Sequence, residues 1–120
     1  MLVVNRFVVP DDETGADFAD RATTALQALA ARPGYLRGEL GRAYDDPTHW
    51  SLVTEWESVG AYRRALGGFD VKVQATPLLA QSVDEPSAYE ILVTAATDGT
   101  VTRSDSDRAP NTERTIRSNS

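Results

Sequence analysis

The stretch LVVNRFVV, Leu2–Val9, decides how this chain is to be read. Side chains along a strand point alternately to opposite faces. Here β-branched and aromatic residues occupy both parities until Pro10 stops the run. Both faces of the strand are therefore expected to be buried. Asn5 and Arg6 interrupt one face each, so the amide and the guanidinium face different environments and need separate reasons.

Working outward, DDETGADFADRATTALQALAARPG (11–34) sets Phe18, Ala22, Ala25, Leu26 and Leu29 at helical spacing, with Asp20, Arg21, Thr24 and Gln27 on the wet side. Thr14 followed by Asp17 has the form of a capping box, and Arg32-Pro33-Gly34 ends the helix. YLRGELGRAY (35–44) alternates, with Leu36, Gly38 and Leu40 on one face and Arg37 and Glu39 on the other. The turn residues DDPT lead into HWSLVTEWE (49–57), where Trp50, Leu52, Thr54 and Trp56 share a parity; the two runs predict a hairpin. Ser58 is placed to cap VGAYRRAL, a short helix ending at Gly67-Gly68. The run from Phe69 fits a strand or a helix turn and is read as a short helix ended before Pro77; SAYEILVT (87–94) is the last predicted strand.

Strand, helix, strand, strand, helix, strand is the split βαβ, or ferredoxin-like, order: an α+β fold with both helices on one face of an antiparallel sheet. Residues 1–94 form that domain. Residues 95–120 hold only Val101 and Ile116 as large aliphatics and are expected to be a polar, disordered tail. Nothing in the chain is left to cover the second apolar face of strand one, so a homodimer joined through that sheet face is expected.

Composition narrows the function classes. At 120 residues and 41% hydrophobic content the chain fits one domain with a modest core. It has no cysteine, which removes disulfides and thiolate chemistry. The net charge is −6, with 14 acids against 8 bases over residues 1–94 and four of each beyond, a balance that speaks against nucleic acid and anionic membrane surfaces. No apolar run approaches the ~18 residues of a membrane span, and the start lacks the pattern of a signal peptide, so a cytoplasmic location is expected. No glycine-rich phosphate loop or metal-ligand cluster stands out, and no metal or cofactor is expected.

Three stretches carry a resemblance to a known family: the Asn within VVNRFVV, RPGYLRGEL after the first helix, and WSLVTEWESVGAY. The most specific part is Trp56-Glu57-Ser58 followed by Ala61-Tyr62. Over residues 1–94 the chain resembles the antibiotic biosynthesis monooxygenase domain family, whose members form dimeric α/β barrels. The resemblance implies one of three roles: oxidation of phenolic or quinol-type aromatics by O2 without a cofactor, haem binding and degradation, or no established reaction. Haem degraders of the family use an Asn on strand one, which matches Asn5, but their Trp and His fall near Ala65 and Ala75, and the single histidine, His49, lies elsewhere. The cofactor-free members use an aromatic pair that aligns with Trp56 and Tyr62, although an Asn and an Arg of that subgroup fall near Leu52 and Thr76.

Ground-state O2 accepts electron pairs poorly, so a cofactor-free oxygenase needs a substrate that is itself the reductant. The protein must bind a flat aromatic, polarise its phenol or enol, and keep water from the anion. Asn5 is the candidate donor to the oxyanion, Tyr62 the proton relay, and Trp56 the stacking wall; Tyr35, Tyr44 and Phe69 are candidate substrate-lining residues. Each has a plainer alternative. Trp56 and Trp50 fit core packing, Tyr62 fits a packed surface ring, and Asn5 fits an amide satisfying backbone groups. Arg6 is expected to pair with Glu39, Glu55 or Glu90. Arg63-Arg64 and Asp11-Asp12-Glu13 fit solvated surface, and Asp45-Asp46 could chelate a cation, although two adjacent acids rarely make a site without further ligands. The rival functional reading is a dimeric carrier that binds a hydrophobic aromatic ligand without turnover.

Overall fold

The computed structural model of the chain describes residues 1–106. It falls into two compact units, Met1–Tyr89 and a second beginning at Glu90. The first unit contains β1 (Leu2–Val8), α1 (Glu13–Ala30), β2 (Tyr35–Arg42), β3 (His49–Trp56), α2 (Val59–Leu66), α3 (Phe69–Gln74), α4 (Thr76–Leu79) and β4 (Ala88–Tyr89). Its sheet has the order β2-β3-β1-β4, antiparallel throughout. That is the ferredoxin-like arrangement the element order predicts.

One face of the sheet carries the core. Val3, Phe7 and Val9 of the first strand region meet Leu52 and Trp56 of β3, and α1 covers them with Phe18, Ala22, Ala25 and Leu29. Phe18 packs its ring against Phe7 at 4.9 Å and against Trp50 at 5.4 Å. The shared parity of Trp50, Leu52, Thr54 and Trp56 holds. The opposite parity of β1 is not covered within the single chain, as expected: Arg6 and Val8 are exposed and Leu2 and Val4 half-buried. Both helices and the short α3–α4 pair lie on one side, which leaves that face open.

Several local expectations need correction. Asp12, not Thr14, caps α1, its carboxylate accepting from the Thr14 amide at 2.8 Å. Ser58 caps α2 as expected, accepting from the Ala61 amide at 3.0 Å. The helix after Gly68 is short and ends at Gln74, before Pro77, as expected; what the sequence reading did not include is α4, which starts at Thr76 because proline fits the first turn of a helix, where its missing N–H costs nothing. Arg6 finds neither Glu39, Glu55 nor Glu90. It makes a two-pronged pair with Glu85, with Nη2 donating to Oε2 at 2.9 Å, while Arg37 takes Glu39 and Glu55.

The last strand differs most. Only Ala88 and Tyr89 pair with β1, and Val83 and Ser87 add isolated backbone bonds to it. Residues Val93–Ala95 (β5) instead pair with Val101–Arg103 (β6) in a two-stranded hairpin. Its turn is closed by Asp98, whose carboxylate accepts from the Thr100 amide, and by Gly99 at φ +89. Of the stretch expected to be disordered, Ala95 ends the hairpin's first strand and residues 96–103 are its turn and second strand; residues 107–120 of the expected tail lie outside the described residues.

Candidate functional site

Three aromatic rings gather at the end of the sheet where β3 runs into α2. Trp56 is fully buried and holds its indole by donating from Nε1 to Thr54 Oγ1 at 2.9 Å. Tyr35 meets it edge-on at 5.4 Å, and Tyr62 lies against it at 5.5 Å. Strict alternation along β2 would have turned Tyr35 to the open face with Arg37 and Glu39. A bulge between Tyr35 and Arg37, with Leu36 as the extra residue, returns Tyr35 to the helix face opposite Trp56. Gly38 makes room there, since a Cβ at that position would sit 2.6 Å from the Tyr35 hydroxyl.

Tyr62 links this cluster to a cavity of about 650 Å³ lined by Tyr62, Leu66, Lys72, Thr76, Leu79 and Ala80. The lining follows a simple rule. On α2 the core residues are Ala61 and Ala65, and the cavity residues are the next ones along, Tyr62 and Leu66. Across α3 and α4 the core residues are Val71, Ala75 and Leu78, and the cavity residues are again the next ones, Lys72, Thr76 and Leu79. One residue is a rotation of about 100° on a helix. The two helical segments therefore bury one stripe in the core and turn the adjacent stripe to a shared hollow.

Burial raises the Tyr62 pKa above its ordinary value of 10.0. Burial does the same for Tyr35, opposed by the nearby Arg37 charge. Both rings are therefore neutral hydroxyls near neutrality, able to donate a hydrogen bond but poor as bases. The cavity lining contains neither a carboxylate nor an imidazole.

The other candidates are placed differently. Asn5 faces the helices and is only 9% exposed, as its parity predicts. Its amide makes no hydrogen bond to another described residue, so the satisfied-amide alternative does not describe it. It pairs in register with Leu52, four residues from Trp56 along β3, a distance of about 13 Å, and is not among the residues lining the Tyr62 cavity. Tyr44, in the β2–β3 loop, is fully exposed, and Phe69, the first residue of α3, is 79% exposed. Neither joins the cluster: a hairpin tip and the outer face of a short helix both point away from the core. Trp50 packs between Phe18 and the Arg42 guanidinium, as its structural alternative holds.

The Trp and His of the family's haem degraders have no counterpart here. The two positions where family haem degraders carry Trp and His are Ala65 and Ala75, both buried in the core. His49 lies at the far end of β3, beside Asp46 at 3.2 Å. Asp46 itself serves the loop, accepting from the amide and hydroxyl of Thr48. Sequence reasoning missed Lys72, Leu66, Leu79 and Ala80 as lining residues. The offset stripe beside each core stripe was the signal that could have found them.

Comparison with known proteins agrees with this architecture. The family model for antibiotic biosynthesis monooxygenase matches residues 1–72. No curated protein matches the chain. Among solved structures, SnoaB, a cofactor-independent oxygenase from Streptomyces nogalater, is 30% identical with a TM-score of 0.60, covering 76% of this chain and 94% of that one. A conserved protein from Methanosarcina mazei Go1 is 17% identical with a TM-score of 0.59, covering 72% of this chain and 84% of its own. A Deinococcus radiodurans protein, also 17% identical, has a TM-score of 0.57 over 92% of this chain and 97% of its own. At that identity the last two bear on the fold alone. The matched segment contains β1, α1, the β2–β3 hairpin and α2, and with them Tyr35, Trp56 and Tyr62; the chain belongs to the antibiotic biosynthesis monooxygenase family.

Proposed function

We propose that the chain is the subunit of a homodimeric, cofactor-independent monooxygenase that oxidises a phenolic or quinol-type aromatic with O2. The observation that carries this reading is Tyr62: a half-buried, neutral tyrosine on an otherwise largely apolar cavity, packed on Trp56, which Tyr35 meets from the other strand. A hollow of this size and lining suits a flat ring system. The similarity to SnoaB, itself described as a cofactor-independent oxygenase, supports the class of chemistry.

The substrate supplies the electrons. For an anthrone, loss of a proton gives an aromatic oxyanion and a carbanion-like ring carbon that passes electrons to O2. The CH2 becomes C=O, one oxygen atom enters the ring ketone and the other leaves as water. Tyr62 donates to the developing oxyanion and Trp56 holds the ring of Tyr62 in place, while Asn5, on the same face of the sheet, lies outside the lining of the hollow. The apolar walls keep water from the anion.

The direct test is O2 uptake by the pure protein with a panel of anthrones and hydroquinones. Acceleration over buffer that drops about tenfold or more in Tyr62→Phe is expected, in line with loss of one oxyanion donor. Rates equal to buffer, or equal in wild type and Tyr62→Phe, would overturn the reading. A second reading is a carrier that binds the same ligand without turnover. What favours it is the lining's lack of a carboxylate or imidazole base. Saturable binding of those aromatics with no O2 consumption would select it.

A further inference from the structure

Lys72 supplies the only formal charge among the six residues lining the Tyr62 cavity. It sits on α3 one position after the core residue Val71, and Thr76, the first residue of α4, lines the same hollow. Lys72 makes no ion pair or hydrogen bond through its side chain with any described residue, and neither does the hydroxyl of Tyr62 or of Thr76. Lys72 can only donate, the hydroxyls of Tyr62 and Thr76 can donate or accept, and no residue of the lining supplies an anion. A ligand that brings an anionic oxygen into this hollow therefore meets an ammonium with no carboxylate of the lining competing for it. A lysine stem lies along apolar surface while its ammonium stays at the rim, and an ion pair beside a low-dielectric wall is stronger than one in open water.

We infer that Lys72 is a specificity-determining residue: the cavity selects aromatic ligands bearing an anionic oxygen group, a carboxylate above all. The carboxylate pairs with the Lys72 ammonium and the Thr76 hydroxyl at the rim, and the ring lies inward against Tyr62, Leu66 and Leu79. This rests on the cavity being the ligand site, as the proposed function has it, and gives that site a substrate class. A neutral ring of the same shape keeps the apolar contact and forgoes the charge.

The test compares two probes that differ in one group, 2-naphthol and 3-hydroxy-2-naphthoic acid, titrated anaerobically near neutral pH by calorimetry. Wild-type protein should bind the acid at least tenfold more tightly than the naphthol, and added salt should narrow the gap. Lys72→Met should abolish the gap by weakening the acid alone, and Lys72→Arg should keep most of it. Lys72 is exposed, so these variants should fold; Lys72→Gln gives an independent check, with circular dichroism confirming the helices. Equal affinity for both probes in wild type, an equal loss of both in Lys72→Met, or no binding of either would overturn the inference. Because no O2 is present, the outcome is separable from the oxygenase reading. A protein that prefers the acid through Lys72 yet consumes no O2 with any substrate keeps this inference and loses that one.

Discussion

Asn5 and Tyr62 can each be tested as a single side chain. Asn5 is 9% exposed and its amide makes no hydrogen bond to another described residue, so no protein contact of the amide is lost when it is replaced. Asn5→Leu, of similar volume, should therefore melt no lower than wild type. If the amide meets the oxyanion of a bound substrate, the same variant should oxidise substrate about tenfold more slowly or worse. Thermal melts and O2 uptake on one preparation decide this: a lower melting temperature with an unchanged rate would make Asn5 structural. For Tyr62 the useful lever is pH. Burial raises its folded-state pKa above 10.0, so its neutral hydroxyl, and any stability gained by burying it uncharged, is fully present below pH 10.0. Both are lost as pH rises through the folded value. The Tyr62-dependent part of the rate should persist across the neutral range and fall only in alkali beyond 10.0, measured as the wild-type minus Tyr62→Phe difference.

Among elements, the turn from α1 into β2 fixes the site most tightly. Gly34 has φ +88, and a Cβ there would lie 2.5 Å from the Cβ of Ala61 on α2. Its carbonyl accepts from the Glu57 amide at 2.8 Å, tying the start of β2 to the end of β3. Gly34→Ala therefore combines left-handed backbone strain of about 1 kcal/mol with an overpacking cost of about 1–3 kcal/mol. A loss of about 2–4 kcal/mol in denaturant unfolding is expected, with weaker contact between Tyr35, Trp56 and Tyr62 seen in the near-ultraviolet dichroism. A loss under about 1 kcal/mol would show that α2 can move aside. Sequence alone marks Arg32-Pro33-Gly34 as a helix stop, but not that α2 presses on the glycine. That contact joins residues far apart in the chain.

At the scale of the whole molecule, the open sheet face governs assembly. Val8 is 59% exposed and Tyr89 48%, and Leu2, Val4 and Val53 add half-buried apolar surface on the same face. The ion pairs of Arg6 with Glu85 and of Arg37 with Glu39 and Glu55 share it. A second copy meeting this face would bury the apolar strip, which is the reason to propose the homodimer. Val53→Glu sets a third carboxylate among Glu39 and Glu55, its neighbours on β2 and β3. It should halve the mass found by sedimentation while the monomer still unfolds cooperatively, because the core lies on the other face. A wild-type chain that sediments as a monomer, or a variant that remains dimeric, would place the interface elsewhere.

The element order, the helix-face parity of β3, the Ser58 cap and the orientation of Asn5 were all determined by the sequence itself. Each rests on short-range causes: side-chain alternation, helical periodicity, and a hydroxyl beside an unsatisfied amide. The tertiary structure alone decided the rest. Tyr35 reached the site through a bulge, Arg6 chose a carboxylate 79 positions away, and residues 93–95 left the main sheet for a hairpin of their own. Tyr44 and Phe69 turned outward, while Lys72 came to line the cavity. These outcomes depend on how distant elements meet, and an offset of one residue on a strand or helix moves a side chain to another face without disturbing the local pattern.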